Sequence, residues 1–307
     1  MSAWSRWFAR HNANAQTQAL RPEALPDGTL LGELRIERVL ARGASAMLYL
    51  ATDSRNQSTL AVKVLCPAGH DAAAEASRFL QEAERASQLD HPNIVRVFGG
   101  GQVRGIAFLA MEFLPGSDLT RWAKPIHRLP EAAVLEIVAQ MADGLAHAHR
   151  HGVVHRDVKP ANAIYDPATR RVVLTDFGLA RTPDAQASQS GQLIGSPAYM
   201  APEALAGAPP DARSDLYALG VMCYELLAGR PPFNQPSLGA LLRAVARDAP
   251  PPLASLQPDL ADATALDALL APLLAKSPAD RCADAKAWAE QARMAALWLR
   301  ATPHAKG

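Results

Sequence analysis

Apolar residues alternate with polar ones over short runs in the first third of the chain and then recur with a helical period in the rest. Alternation at 34–40, 47–51, 60–65, 94–97 and 107–111 predicts strands, and one helical run at about 73–89 interrupts them. After Pro115-Gly116 the helical period holds over 131–150, 214–228, 238–247, 265–274 and 283–300. The pattern predicts an α+β, two-lobed chain: a small β-rich lobe with one helix at 31–114, and a larger helical lobe at 115–300. Residues 1–30 read as a flexible extension, because Asn, Gln and Ala give way to the helix breakers Pro22, Pro26 and Gly28, and 301–307 read as a tail. No internal repeat is visible, and Pro250 to Pro252 reads as a loop between helices.

Composition narrows the possibilities. With 307 residues, 49% of them hydrophobic, the chain has enough apolar surface for a substantial core. Its 31 basic and 30 acidic side chains leave a formal charge of +1, so no global field favours nucleic acid or an anionic membrane, and no basic-aromatic module is present. Any anion site must be local. The three cysteines, Cys66, Cys223 and Cys282, are odd in number and lack CxxC spacing, which argues against a disulfide framework and a zinc site and favours a cytoplasmic location. The longest apolar stretch, 216–228, contains Glu225 and falls short of the about 20 residues that a spanning helix needs. Arg6 and Arg10 precede no continuous apolar core, so no secretory signal is expected.

The chemistry concentrates in two segments. One runs from Val154 through His155, Arg156, Asp157, Val158, Lys159, Pro160 and Ala161 to Asn162; the other is Asp176-Phe177-Gly178 at the end of a hydrophobic strand. Phosphoryl transfer from Mg-ATP to a protein hydroxyl needs a carboxylate to orient the attacking oxygen, ligands for magnesium and a cation for the developing charge. Asp157, the pair Asn162 and Asp176, and Lys159 can supply these. Lys63 shares a strand face with Ala61 and Leu65; it is either an edge lysine reaching water or a grip on nucleotide phosphates, with Ala61 as a flat floor for adenine. Glu82 is its proposed counter-ion because Phe79 and Ala86 share its helix face, and Glu75 and Glu84 are the rivals. Leu40, Ala41, Arg42, Gly43, Ala44, Ser45, Ala46, Met47 and Leu48 occupy the place of a phosphate-covering loop, although only Gly43 supplies a glycine. Met111 and the backbone of Glu112 and Leu114 lie where the small lobe hands over to the large one and could meet an adenine edge. His155 is expected to pack under Phe177, and Arg156 is suited to receive a phosphate on the loop after Asp176.

These residues resemble the protein kinase superfamily, specifically the eukaryotic-like serine/threonine kinases of bacteria, over roughly 31–300. The linked motifs are Ala61-Val62-Lys63, Glu82, His155-Arg156-Asp157 with Asn162, Asp176-Phe177-Gly178, Ala201-Pro202-Glu203, Asp215 and Arg281. The resemblance implies Asp157 as catalytic base, Lys159 on the transferred phosphate, Asn162 and Asp176 on magnesium or manganese, and Lys63 paired with Glu82 in the active arrangement. It further implies a Glu203–Arg281 pair and an Asp215 that anchors the catalytic loop. Lys159-Pro160 and the segment from Gly195 to Met200 resemble serine/threonine rather than tyrosine kinases, with Ser196 where threonine is usual. Ala41 and Ala46 depart from the family's glycines, which implies weaker ATP binding.

The implied partners are proteins with Ser or Thr acceptors, and autophosphorylation is expected between Asp176 and Glu203, at Ser188 or Ser190. A scaffold that has lost productive ATP binding and a small-molecule phosphotransferase are the competing readings. Trp4, Trp7 and Phe8 fall on one side of a short helix and form a candidate docking face, for which a disordered tail is the alternative.

Overall fold

The computed structural model describes residues 24–43, 45–66, 72–177 and 197–301. The chain divides into two compact units, with the boundary between Leu114 and Pro115.

The first unit is a six-stranded antiparallel sheet of β1 (Leu30–Leu31), β2 (Leu34–Arg42), β3 (Ala46–Asp53), β4 (Thr59–Leu65), β5 (Val97–Val103) and β6 (Ile106–Glu112), in the order β1-β2-β3-β4-β6-β5. The period of two sorts β4 cleanly: Leu60, Val62 and Val64 enter a core cluster with Ile36, Tyr49 and Phe108, and Lys63 points to the other face. Helix α1 (Ala72–Ala86) packs on β5 and β6 through a face that buries Ala76, Phe79, Ala83 and Ala86. Gly100 lets it come this close, since a Cβ there would stand 3.1 Å from Leu80 Cδ2 and 3.1 Å from the Phe108 carbonyl oxygen.

Two expectations need correction here. The strand predicted at 94–97 begins only at Val97 and runs to Val103, because Gly99-Gly100-Gly101 carries no side-chain pattern to announce it. Folding also begins before Leu31: Leu25 is buried in the core, and its N–H donates to the Tyr49 hydroxyl at 2.8 Å.

In the second unit the long helices are α2 (Glu131–Arg150), α4 (Ala212–Ala228), α5 (Leu238–Arg247), α7 (Ala263–Leu274) and α8 (Ala285–Ala301), with single-turn α3 (Pro202–Leu205) and α6 (Leu253–Leu256) between them. A three-stranded sheet, β7 (Ser117–Asp118), β8 (Ala163–Asp166) and β9 (Arg171–Leu174), accompanies them. Of these strands only the approach to Asp176 was predicted; β7 and β8 are too short to show a period. Helix α8 runs antiparallel to α2, and the ion pairs Arg293–Asp143 and Arg300–Glu136 mark their register. Among the described residues no helix is long and apolar enough to cross a membrane.

Helix α4 is the centre of this unit, apolar on nearly every side. Asp211 caps it, accepting from the Arg213 and Ser214 N–H groups while Ser214 Oγ accepts from the Asp211 N–H, and Gly229 closes it in the left-handed conformation at φ 78°. Midway along, a Cβ at Gly220 would stand 2.7 Å from Leu273 Cβ on α7. Replacing a helical glycine by alanine ordinarily stabilises by about 1 kcal/mol, whereas forcing a methyl into a packed contact costs about 1–3 kcal/mol. Gly220→Ala is therefore expected to lower stability, and a rise in its denaturant midpoint would show that α4 and α7 can separate at no cost.

Candidate active site

The loop between α2 and β8 hangs from one carboxylate. Asp215, at the start of α4 and 2% exposed, accepts from the His155 N–H (2.8 Å) and His149 Nε2 (2.8 Å) on Oδ2, and from the Arg156 N–H (2.8 Å) on Oδ1. These bonds hold Arg156 at φ 70°, a left-handed conformation that is costly for a residue with a Cβ. His155 is buried with both ring nitrogens engaged. Its Nδ1 accepts from the Asp157 N–H at 3.3 Å, which leaves Nε2 as the protonated nitrogen, donating to the Thr175 carbonyl at 2.9 Å. Its ring packs on Phe177 at 4.5 Å, as the sequence suggested.

Beyond this anchor, Asp157, Lys159 and Asn162 come together. Lys159 Nζ donates to Asp157 Oδ2 at 2.7 Å, and Asn162 Nδ2 donates both to that oxygen and to the Asp157 carbonyl, each at 2.8 Å. The Asp157 side chain remains 37% exposed, so an acceptor hydroxyl has access to it. The Asn162 carbonyl accepts from Thr175 N–H at 2.9 Å, which fastens β9 to the loop just before Asp176, itself left-handed at φ 63°. Two non-glycine residues in this region within one site are strain held by the surrounding hydrogen bonds.

The candidate nucleotide residues of the first unit sort by strand. Ala41 lies in β2 opposite Leu48, just after a bulge at Leu40, and Ala46 starts β3 opposite Leu65. Between them the Gly43 N–H donates to the Ala46 carbonyl at 2.9 Å and closes a tight turn with Arg42 paired to Met47. Ala61 is buried beside the half-buried Lys63 on β4, and on α1 Glu82 is half-buried where Glu84 is exposed. Met111 is buried at the end of β6; the Glu112 N–H and carboxylate both bond the Arg96 backbone at 2.9 Å, and Leu114 ends the unit. Ala44, Gly178, Ser188, Ser190, Ser196, Trp4, Trp7 and Phe8 lie outside the described residues.

Further along, Arg281 meets Glu203 with both guanidinium ends, Nη1 to Oε1 at 2.7 Å and Nη2 to Oε2 at 2.6 Å. Ser214 Oγ adds a bond to Glu203 Oε1 at 2.7 Å, so the α4 cap and the ion pair share one carboxylate. The remaining Arg281 donors reach the carbonyls of Ala275, Lys276 and Arg213, which satisfies a guanidinium only 4% exposed. Burial pushes the Glu203 carboxyl up, but the hydrogen bonds from Arg281 and Ser214 outweigh it and hold the group below its ordinary value.

The family model of the protein kinase domain matches residues 34–293. This chain belongs to the protein kinase family. Among curated relatives, the kinase is 34% identical to the serine/threonine-protein kinase pkn3 of Myxococcus xanthus over 269 residues, covering 85% of this chain and 49% of that protein. It is 37% identical to PknJ of Mycobacterium tuberculosis over 285 residues, covering 91% of this chain and 48% of that one. The chain thus spans about half the length of these two relatives. The crystal structure of the Mycobacterium tuberculosis PknI kinase domain matches with a TM-score of 0.70 at 34% identity, covering 91% of this chain and 100% of that one.

Three features of the kinase escaped the sequence reading. His149 sits in the run His147-Ala148-His149-Arg150-His151, where nothing local separates it from its neighbours; His147 and His151 stack on each other with centroids 4.4 Å apart. Tyr199, just before Ala201, donates its hydroxyl to Glu225 Oε2 at 2.5 Å, and burial followed by the Glu225 charge pushes the phenol far up. Burial likewise raises Glu225, with the Tyr199 hydrogen bond opposing. Lys276 lies over the Phe233 ring at 3.9 Å and donates to the Val245 carbonyl at 2.7 Å, and burial brings its ammonium down to about 8.

The Glu203–Arg281 pair has a pH signature. A carboxyl lowered by folding stabilises the native state fully above its unfolded value and loses that contribution as pH falls through the native one. The wild type is expected to lose stability as pH drops below about 4.5, the ordinary glutamate value, and Glu203→Gln to lose less over the same window. At neutral pH Glu203→Gln starts lower by up to about 3–5 kcal/mol, because Arg281 is then a buried cation without a carboxylate. Parallel pH–stability curves for the two proteins would rule this linkage out.

Proposed function

We propose that this chain is the catalytic domain of a serine/threonine protein kinase, transferring the γ-phosphoryl group of ATP to Ser and Thr hydroxyls of proteins, including its own segment between Asp176 and Glu203. The observation that carries the reading is the exposed Asp157 carboxylate, fixed by Lys159 and Asn162 on a loop suspended from buried Asp215. In this reading Asp157 accepts a hydrogen bond from the acceptor hydroxyl and takes its proton as the new O–P bond forms and the bond to the β-phosphate oxygen breaks. Lys159 lies beside that carboxylate to neutralise charge on the moving phosphoryl oxygens. Lys63 holds nucleotide phosphates with Glu82 as counter-ion, Gly43 and its neighbours from Leu40 to Leu48 cover them, and Ala61, Met111, Glu112 and Leu114 receive the adenine.

The donor set suits magnesium. Asn162 and Asp176 offer hard oxygen ligands, and among the described residues no group of three or more His, Cys, Asp or Glu side chains could hold a metal ion. A cation held here takes most of its coordination from phosphates and water, which is the habit of magnesium rather than zinc. When bound, it supplies charge neutralisation at the phosphates. The three free cysteines favour a reducing cytoplasm as the working compartment.

Two experiments test this. Asp157→Asn and Lys63→Ala should each lower radiolabel transfer to a protein acceptor by more than about 100-fold while the melting temperature stays near wild type, since neither removes core. Near-normal labelling by either variant would overturn this assignment of the site, and a wild type that transfers no label would favour the scaffold reading. The double change Ala41→Gly with Ala46→Gly should lower the KM for ATP several-fold, if each regained backbone contact is worth about 0.5–1.5 kcal/mol, while kcat changes less. It should also cost about 0.5–1 kcal/mol of stability per site, because both alanines stand in strands. An unchanged or raised KM would mean that the alanines already permit the productive loop.

A further inference from the structure

A pocket of about 380 Å³ opens in the second unit between the first turns of α2, the β8–β9 hairpin and the end of α8. We propose that it docks an extended segment of a partner protein, one large apolar side chain entering the cavity and flanking carboxylates meeting Arg170 and Arg300. The floor is apolar and firm: Ile137 and Tyr165 are 2% and 5% exposed, and the Tyr165 ring is braced edge-on by Trp122 with centroids 5.7 Å apart.

The rim carries two guanidinium groups. Arg300 spends Nη1 on Glu136 Oε1 at 2.6 Å, and a guanidinium has five donors in all, so the pair leaves capacity for a second carboxylate. Arg170 adds a second cation against that single rim glutamate. The nearby Asp166 carboxylate is turned inward to the hairpin, accepting from the Ala168 N–H at 3.0 Å and Thr169 Oγ1 at 2.8 Å. Glu136 and Asp166 balance the charge of the two arginines, so what the rim offers a ligand is directional: guanidinium donors on Arg170 and the unspent end of Arg300, placed to meet carboxylates.

The backbone points the same way. Arg170 stands at φ 55°, where glycine fits without strain and a side chain does not, and its carbonyl is held by Gln140 Nε2 at 3.0 Å. The hairpin would turn more easily with glycine, so its arginine carries strain whose counterpart is a guanidinium at the pocket rim.

The surroundings favour a chain segment over a small metabolite. At 100° per residue, Leu297 lies about 60° around α8 from Arg300. Leu297 is 57% exposed. Apolar surface therefore continues outside the cavity, where a small molecule would leave it wet and an elongated occupant would cover it.

The test is a binding measurement, independent of phosphoryl transfer. Fluorescence anisotropy would use a short fluorescein-labelled peptide with one phenylalanine between glutamates, the same peptide with lysines for glutamates, and unlabelled 3-phenylpropionate as a competitor. The wild type is expected to bind the acidic peptide saturably and the lysine peptide about tenfold or more weakly, with 3-phenylpropionate competing poorly. Arg170→Gly should weaken acidic-peptide binding about tenfold, the loss of one charge-assisted contact, and yet melt at a higher temperature. Ala133→Phe, which places a ring in the cavity mouth, should abolish binding with helix content unchanged. The proposal is overturned if the acidic peptide fails to saturate at millimolar concentration, if Arg170→Gly binds as tightly as wild type, or if 3-phenylpropionate matches the peptide, which would make this a small-molecule site.

Discussion

A buried carboxylate must find hydrogen-bond donors or the fold does not close around it. Asp215 finds three, and two of them are the consecutive backbone N–H groups of His155 and Arg156. Because those donors belong to the main chain, the bonds fix the path of the loop rather than the position of a side chain. Arg156 takes a left-handed turn as a result, Asp157 emerges next to it, and His155 carries the constraint on to the Thr175 carbonyl and the Phe177 ring. Removing the carboxylate would take the acceptor from all three donors, the buried His155 N–H among them, so its effect would spread through the whole site.

The same helix end also governs the rest of the second unit. Ser214 completes the α4 cap and bonds Glu203, which in turn receives Arg281, so the capping of one helix, the first turn of α3 and the turn before α8 share a single network. Arg281 is satisfied at every donor group and lies over the Tyr217 ring at 4.9 Å. Such a network has little tolerance for partial loss, because each member desolvates the next.

Much of this was legible in the chain. The ranges 131–150 and 238–247 matched α2 and α5 to the residue, since a long amphipathic run with clear ends leaves little freedom. The Asp157, Lys159 and Asn162 cluster followed from spacing, because a short turn can bring those positions together in few ways. The central failures have a common cause: the information was elsewhere in the chain. Gly99-Gly100-Gly101 forms a strand because β6 pairs with it and α1 needs the room, neither of which is encoded locally. His149 is distinguished from His147 and His151 by Asp215, and Tyr199 by Glu225, partners that only the fold brings near.

The closure of the first core by Leu25 bears on where such a module can be cut or joined. The residue lies upstream of every strand among the described residues, yet its N–H completes the hydrogen bonding of Tyr49, whose own hydroxyl donates to Met47 Sδ, and its side chain is as deeply set as strand residues are. A fusion or truncation placed at the first strand would leave the Tyr49 phenol without its donor and open the sheet's apolar face to water. The working edge of the kinase module is therefore set by the reach of its hydrophobic core, several residues ahead of the first strand of its sheet.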